Sequence, residues 1–258
     1  MKLFDTHCHI ALLYQDPIDQ IRVIDEAKRN GVIGIANIST NIMDFIDSYR
    51  NTKNIPNVYH TVGLSPSEVL NPGKDWELKL EECLSNPKIV GVGEIGLDYY
   101  HKYGDRNAQI ELFVRQLEIA SHFNLPVVIH NREAGEDMKS ILKSKVTCGG
   151  IMHCFSEDFD FAKEMLDLGL YISFAGNLTY RNAKNLHVIA KKLDLANLLI
   201  ETDSPFLTPH GFRGKRNQPA YLVDTLNFLA ELKEMPVEEV ADKLFENSLK
   251  IYKITDMV

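Results

Sequence analysis

Thiols are scarce in this chain, and their placement is uninformative for chemistry. The four cysteines, Cys8, Cys83, Cys148 and Cys154, form no Cys-x-x-Cys pair and lie in apolar or small-residue surroundings. They predict reduced, packed thiols rather than a disulfide framework. Long apolar runs are missing as well. No stretch reaches the roughly 18 residues of a membrane-spanning helix, and the N-terminus enters a strand pattern without a basic segment and an apolar segment ahead of it. A soluble, cytoplasmic protein with no membrane association and no obligate protein partner is the expectation. Positive charge is also in deficit: net charge is −8 and the sequence pI is near 5.6. That is not the footprint of a protein that coats nucleic acid. A polyanionic substrate would have to be met by a local basic patch or by metal ions. Repeats, low-complexity tracts and linkers are absent too, so residues 1–258 read as a single domain.

With 45% hydrophobic and 25% charged residues over 258 positions, the chain can bury a full core. Apolar, β-rich runs alternate with amphipathic helical runs from end to end. The strand candidates are Lys2 to His9, Val32 to Ile38, Val58 to Gly63, Ile89 to Ile95, Val127 to His130, Gly150 to His153, Leu170 to Phe174 and Leu198 to Thr202. Several are apolar on both faces, as parallel strands covered on each side are. Helical stretches include Ile18 to Arg29, Trp76 to Leu84, Asn107 to His122, Phe159 to Leu168 and Ala183 to Leu193, followed by Tyr221 to Leu232 and Val237 to Lys253. About eight strand-helix units in roughly 250 residues is the arithmetic of an α/β, TIM-type (β/α)8 barrel.

In such a barrel, chemistry gathers at the C-terminal ends of the strands. Strand one ends in Asp5-Thr6-His7-Cys8-His9, where alternation points His7 and His9 the same way and Cys8 away. A lone histidine reads most simply as a hydrogen-bonded core residue; two converging at a strand end read as metal ligands, suited to zinc, iron, manganese or nickel. Strand four ends in Glu94 and then Asp98, strand five in His130, strand six in His153, and strand eight in Glu201 and Asp203. Four imidazoles and several carboxylates exceed what one four-coordinate site requires and suit a two-metal site bridged by a carboxylate. His60, His101, His122 and His187 read as structural or solvent-facing, while His210 is left open between lining the site and standing clear of it. The loop Pro209 to Asn217 holds the dense cationic patch, and Arg213, Lys215 and Arg216 read either as phosphate donors or as a solvated basic loop.

Taken together, these segments resemble the TatD family of metal-dependent deoxyribonucleases. The likeness rests on Asp5-Thr6-His7-Cys8-His9, Gly93-Glu94-Ile95-Gly96-Leu97-Asp98-Tyr99-Tyr100, Leu125 to Arg132, His153-Cys154-Phe155-Ser156, Glu201-Thr202-Asp203-Ser204-Pro205 and Arg213 to Asn217. The motifs run in the family's order over nearly the whole chain. The resemblance implies an amidohydrolase-type barrel with two divalent cations, Zn, Mg or Mn. By match to the family pattern, His7, His9 and Asp203 hold one, His130 and His153 the other, and Glu94 bridges them. It implies phosphodiester hydrolysis of DNA with Asp203 and Glu94 in the catalytic machinery; a cleft at the barrel mouth is expected to favour single-stranded or frayed ends, with exonucleolytic removal the expectation and endonucleolytic cleavage left open. Where many members carry His-Pro-His after strand three, this chain has Gly63-Leu64-Ser65-Pro66-Ser67, so substrate contacts at Ser65 are expected to differ. Two rival readings stand beside it: ester or amide hydrolysis, such as D-aminoacyl-tRNA deacylation with charged tRNA as substrate, and a binding module without turnover.

Overall fold

A computed structural model describes residues 1–145 and 148–257. Its elements, in chain order, are β1 (Leu3–Cys8), α1 (Ile10–Leu13), α2 (Pro17–Arg29), β2 (Val32–Ser39), α3 (Ile42–Thr52), β3 (Val58–Val62), α4 (Trp76–Leu84), β4 (Ile89–Asp98), α5 (Arg106–His122), β5 (Val127–Arg132), α6 (Gly135–Ser144), β6 (Gly150–Met152), α7 (Phe159–Asp167), β7 (Leu170–Phe174), α8 (Lys184–Lys192), β8 (Leu198–Ile200), α9 (Leu222–Lys233) and α10 (Val237–Ile251). All eight strands are parallel and neighbour one another in sequence order. The ring comes round again through the backbone at its ends. Asp203 N–H donates to His7 O at 2.8 Å, His9 N–H donates to Ser204 O at 2.8 Å, and Cys8 bridges Ser204 in parallel. The fold is an α/β TIM barrel.

Helix starts follow from their caps. Asp16, Asn41, Asp105 and Asp158 each accept a backbone N–H of the first turn of α2, α3, α5 and α7, and Pro17 occupies the first turn of α2. Helices α1, α3 and α6 lie outside the helical stretches named from the sequence. β4 and β5 run further than expected because their ladder continues through the pairs Gly96–His130, Leu97–Asn131 and Asp98–Arg132. β6 and β8 are shorter than expected, which leaves His153, Glu201 and Asp203 just beyond the strand ends.

One buried cluster takes Phe4 from β1, Ala36 and Ile38 from β2, Val90 from β4, Val128 from β5, Ile151 from β6 and Leu199 from β8. Side chains from strands on opposite sides of a ring meet only inside it, so this cluster is the barrel interior. Each of its larger side chains contributes about 1.5–3 kcal/mol. Ile251 and Tyr252 at the end of α10 join the same cluster, and the Tyr252 hydroxyl donates to Thr6 O at 2.7 Å. With that end filled, polar residues collect at the other.

Candidate metal centre

β1 brings the His7 and His9 Nε2 atoms within 3.1 Å of one another. The carboxylate of Glu94, from β4, meets them: its Oε2 lies 3.5 Å from each. Asp203 Oδ1 closes the set at 3.6 and 3.4 Å from the same two nitrogens. The other oxygen of Glu94 faces a second pair. Oε1 is 2.8 Å from His130 Nδ1 and 3.2 Å from His153 Nε2, and those two nitrogens are 3.3 Å apart. Cys8 is not among these atoms; its thiol turns to Ala36 O.

Three of the four rings are oriented from behind. His9 Nδ1 lies 3.0 Å from Ile38 O. His153 Nδ1 lies 3.2 Å from Glu201 Oε1, which also accepts the Cys154 N–H at 2.8 Å. His130 Nε2 lies 3.3 Å from Asp98 Oδ2. Beneath the centre, Asp5 accepts from the Thr202 hydroxyl at 2.6 Å and the Thr202 N–H at 2.9 Å, tying β1 to the segment after β8. Glu201, Asp98 and Asp5 were visible as carboxylates near strand ends, but nothing in the sequence distinguished an orienting group from a ligand.

The electrostatics follow from crowding. Burial, helped by the charge of His153, depresses the His7 imidazole to about 3. At His9, His130 and His153 burial also opposes protonation, yet the facing carboxylates outweigh it and raise all three. Burial pushes Glu94 up, but His153, His130 and His7 hold it well below the usual carboxylate range. Burial dominates at Asp5 and lifts it to about 7.

This arrangement demands positive charge and supplies lone pairs. Ligands 2.0–2.2 Å from a tetrahedral cation stand about 3.3–3.6 Å apart, which is the spacing between the His7 and His9 nitrogens and the Glu94 and Asp203 oxygens; the two nitrogens stand closer, at 3.1 Å. His7 Nδ1 is buried with no hydrogen-bond partner among the described residues. The donor set, imidazole and carboxylate without thiolate, fits divalent cations. Three overlapping triads bring their ligand atoms within 4.8 Å of one another: His7, His153 and Asp203; His7, His9 and Glu94; and Glu94, His130 and His153. His7, His9, Glu94, His153 and Asp203 are nearly inaccessible, whereas the His130 side chain is 23% exposed. His130 is thus the most exposed of the six ligand-type side chains.

Each residue expected to bind substrate is engaged with a neighbour of its own. Arg213 lies 4.8 Å over the Tyr180 ring, Lys215 lies 5.5 Å over Phe212, and Arg216 donates to Leu13 O while lying 5.8 Å over Tyr14. Ser65 is buried, its hydroxyl 2.7 Å from that of Ser67. His101, read from the sequence as structural or solvent-facing, stands 2.7 Å from Asp98 through Nδ1. His60 and His187 pack in the scaffold, and His210 is exposed, its N–H donating to Thr179 Oγ1.

A parallel barrel carrying such a centre at the C-terminal ends of its strands defines a metal-dependent hydrolase. Comparison with known proteins narrows the class: the family model described as TatD related DNase matches residues 4–253. The chain belongs to that family. It is 38% identical to YabD of Bacillus subtilis, an uncharacterized metal-dependent hydrolase, covering 98% of this chain and 99% of the relative. Identity to YcfH of Escherichia coli K12, of the same description, is 36%, covering 98% and 97%. The crystal structure of YjjV, a TatD homologue from Escherichia coli K12, superposes with a TM-score of 0.89 at 31% identity, covering 98% of each chain.

Proposed function

We propose that the protein hydrolyses phosphodiester bonds of DNA at single-stranded or frayed ends, removing nucleotides exonucleolytically. One observation carries the hydrolytic part of the reading: the two oxygens of Glu94 are divided between two imidazole pairs, so that Glu94 would serve two cations; DNA as substrate is supported by the family description. His7, His9 and Asp203 would hold one cation and His130 and His153 the other. Divalent cations there would supply Lewis acidity, lowering the pKa of a bound water from far above neutrality towards about 7 and neutralising charge on phosphoryl oxygens.

The chain's own groups do the remaining work. Asp203, on the segment that joins β8 to β1, accepts the proton of the attacking water through its carboxylate. Asp98 and Glu201 fix the tautomers of His130 and His153, so their ring nitrogens stay directed at Glu94. Access over the partly exposed His130 side admits an extended strand more readily than a duplex.

The test is end-labelled single-stranded DNA incubated with and without Mg²⁺ or Mn²⁺. Stepwise shortening that requires added cation and disappears in Asp203→Ala is expected, with the circular dichroism of the variant unchanged. A cation-loaded protein that leaves DNA intact but releases amino acid from charged tRNA would overturn this reading in favour of deacylation.

A further inference from the structure

Among the described tyrosine, phenylalanine and tryptophan side chains, only two are exposed, Tyr100 and Phe206, each at 53%. Both are tied to the metal centre, Phe206 through His9 and Tyr100 through His101 and Asp98 to His130. Phe206 meets His9 edge-on, with ring centroids 6.2 Å apart. Tyr100 meets His101 edge-on at 4.9 Å, and His101 is held by Asp98, the partner of His130.

Neither ring hangs on a loose loop. Phe206 N–H donates to Asp203 O at 2.8 Å, and its carbonyl accepts from Asn217 Nδ2 at 2.6 Å. The turn bearing Tyr100 is fixed by Tyr99 N–H to Arg132 O at 2.9 Å and His101 N–H to Asp98 Oδ1 at 2.9 Å. The Arg132 guanidinium lies 4.1 Å over the Tyr100 ring. Arginine stacked on an aromatic face keeps its in-plane N–H donors for a phosphate. Exposing a rigid apolar ring to water has no folding benefit. Two such rings tied to one reactive centre are therefore placed for a ligand with flat faces.

We infer that Tyr100 and Phe206 are base-stacking platforms, one on each side of the scissile phosphate, and that Arg132 contacts the phosphate next to the Tyr100 base. This rests on the DNA reading above and names what selects the substrate: unpaired bases, irrespective of sequence. Stacking on an aromatic ring tolerates any base, because every base has a π-face. Paired bases stack within their own duplex and cannot use the rings.

The test measures binding apart from turnover. Cation-loaded protein is titrated with a single-stranded oligodeoxynucleotide that carries 2-aminopurine near its end and phosphorothioate linkages that resist cleavage. A matched strand abasic at the terminal positions, labelled elsewhere, and an RNA of the same sequence run in parallel. Tyr100→Ala and Phe206→Ala should each weaken binding of the base-bearing strand about 5- to 150-fold. Tyr100→Phe and Phe206→Tyr should restore it, and the abasic strand should bind the wild type as weakly as the alanine variants bind the full strand. Equal binding of full and abasic strands by the wild type, or undiminished binding by the alanine variants, overturns the platforms. RNA binding at least about tenfold tighter than DNA, about 1.4 kcal/mol, overturns the commitment to DNA. Ring-dependent binding without cleavage of an ordinary strand would sink the deoxyribonuclease reading and leave the platforms standing.

Discussion

At the scale of single residues, the centre depends on groups that touch no substrate. Glu201 is buried in full and directs the His153 ring through Nδ1. Replacing such an orienting carboxylate weakens metal affinity about 10- to 100-fold. Glu201→Gln should show that loss in a chelator competition with Zn²⁺, with melting behaviour of the apo-protein close to wild type; unchanged affinity would remove Glu201 from the centre. His60 makes a different point. It is wholly buried in β3, and burial depresses its pKa to about 3. An unfolded chain therefore binds a proton below about pH 6.5 that the folded chain refuses until near pH 3. Stability from this residue is complete above about pH 6.5 and is lost as pH falls, by about 1.4 kcal/mol at pH 5.5. Urea unfolding at about pH 7.5 and 5.5 should show a smaller difference for His60→Gln than for the wild type, and equal differences would refute the argument. The sequence made the ligand-type residues legible because strand alternation and strand ends place His7, His9, Glu94, His130, His153 and Asp203 without any tertiary knowledge. It did not reveal His101 on Asp98, since that contact depends on how the turn after β4 folds back.

At the scale of elements, strand order and the main helices follow from periodicity, and the misreadings fall where tertiary pairing overrides it. β4 reaches Asp98 only because β5 continues beside it, a fact no local pattern contains. Gly96 shows what that pairing requires. A Cβ there would stand 1.9 Å from His130 O, and the φ of +147° is one that L side chains rarely adopt. Gly96→Ala must push β4 away from β5 at the residue that carries one imidazole. A loss of about 1–3 kcal/mol or more is expected, read as a lower melting temperature together with reduced bound metal. Gly211 supplies the comparison: nothing lies within 4 Å of where a Cβ on it would stand, and Gly211→Ala should change stability by no more than about 0.5 kcal/mol. Equal effects at the two glycines would mean that the β4–β5 approach does not constrain the site.

At the scale of the whole molecule, a net charge of −8 repels the substrate proposed for it. Attraction must then be short-ranged, and the positions of the cations limit how much they supply. Arg216 is engaged with Leu13 O, leaving Arg132 beside the Tyr100 ring and Arg213 and Lys215 in the loop after β8 as exposed cations for phosphate. Each phosphate contact to a single strand contributes about −0.7 to the slope of log affinity against log salt. Three contacts give a slope of about −2, so raising monovalent salt from about 50 to about 200 mM at fixed Mg²⁺ should weaken oligonucleotide binding about 20-fold. A protein relying on stacking and on its metal centre should sit at or below that slope. A slope of about −5 or steeper would require a continuous basic surface, which neither the charge balance nor the separate stations of Arg213, Lys215 and Arg216 provides. A flat response would remove the phosphate contacts of Arg132 as well and leave the aromatic rings and the centre as the whole of recognition.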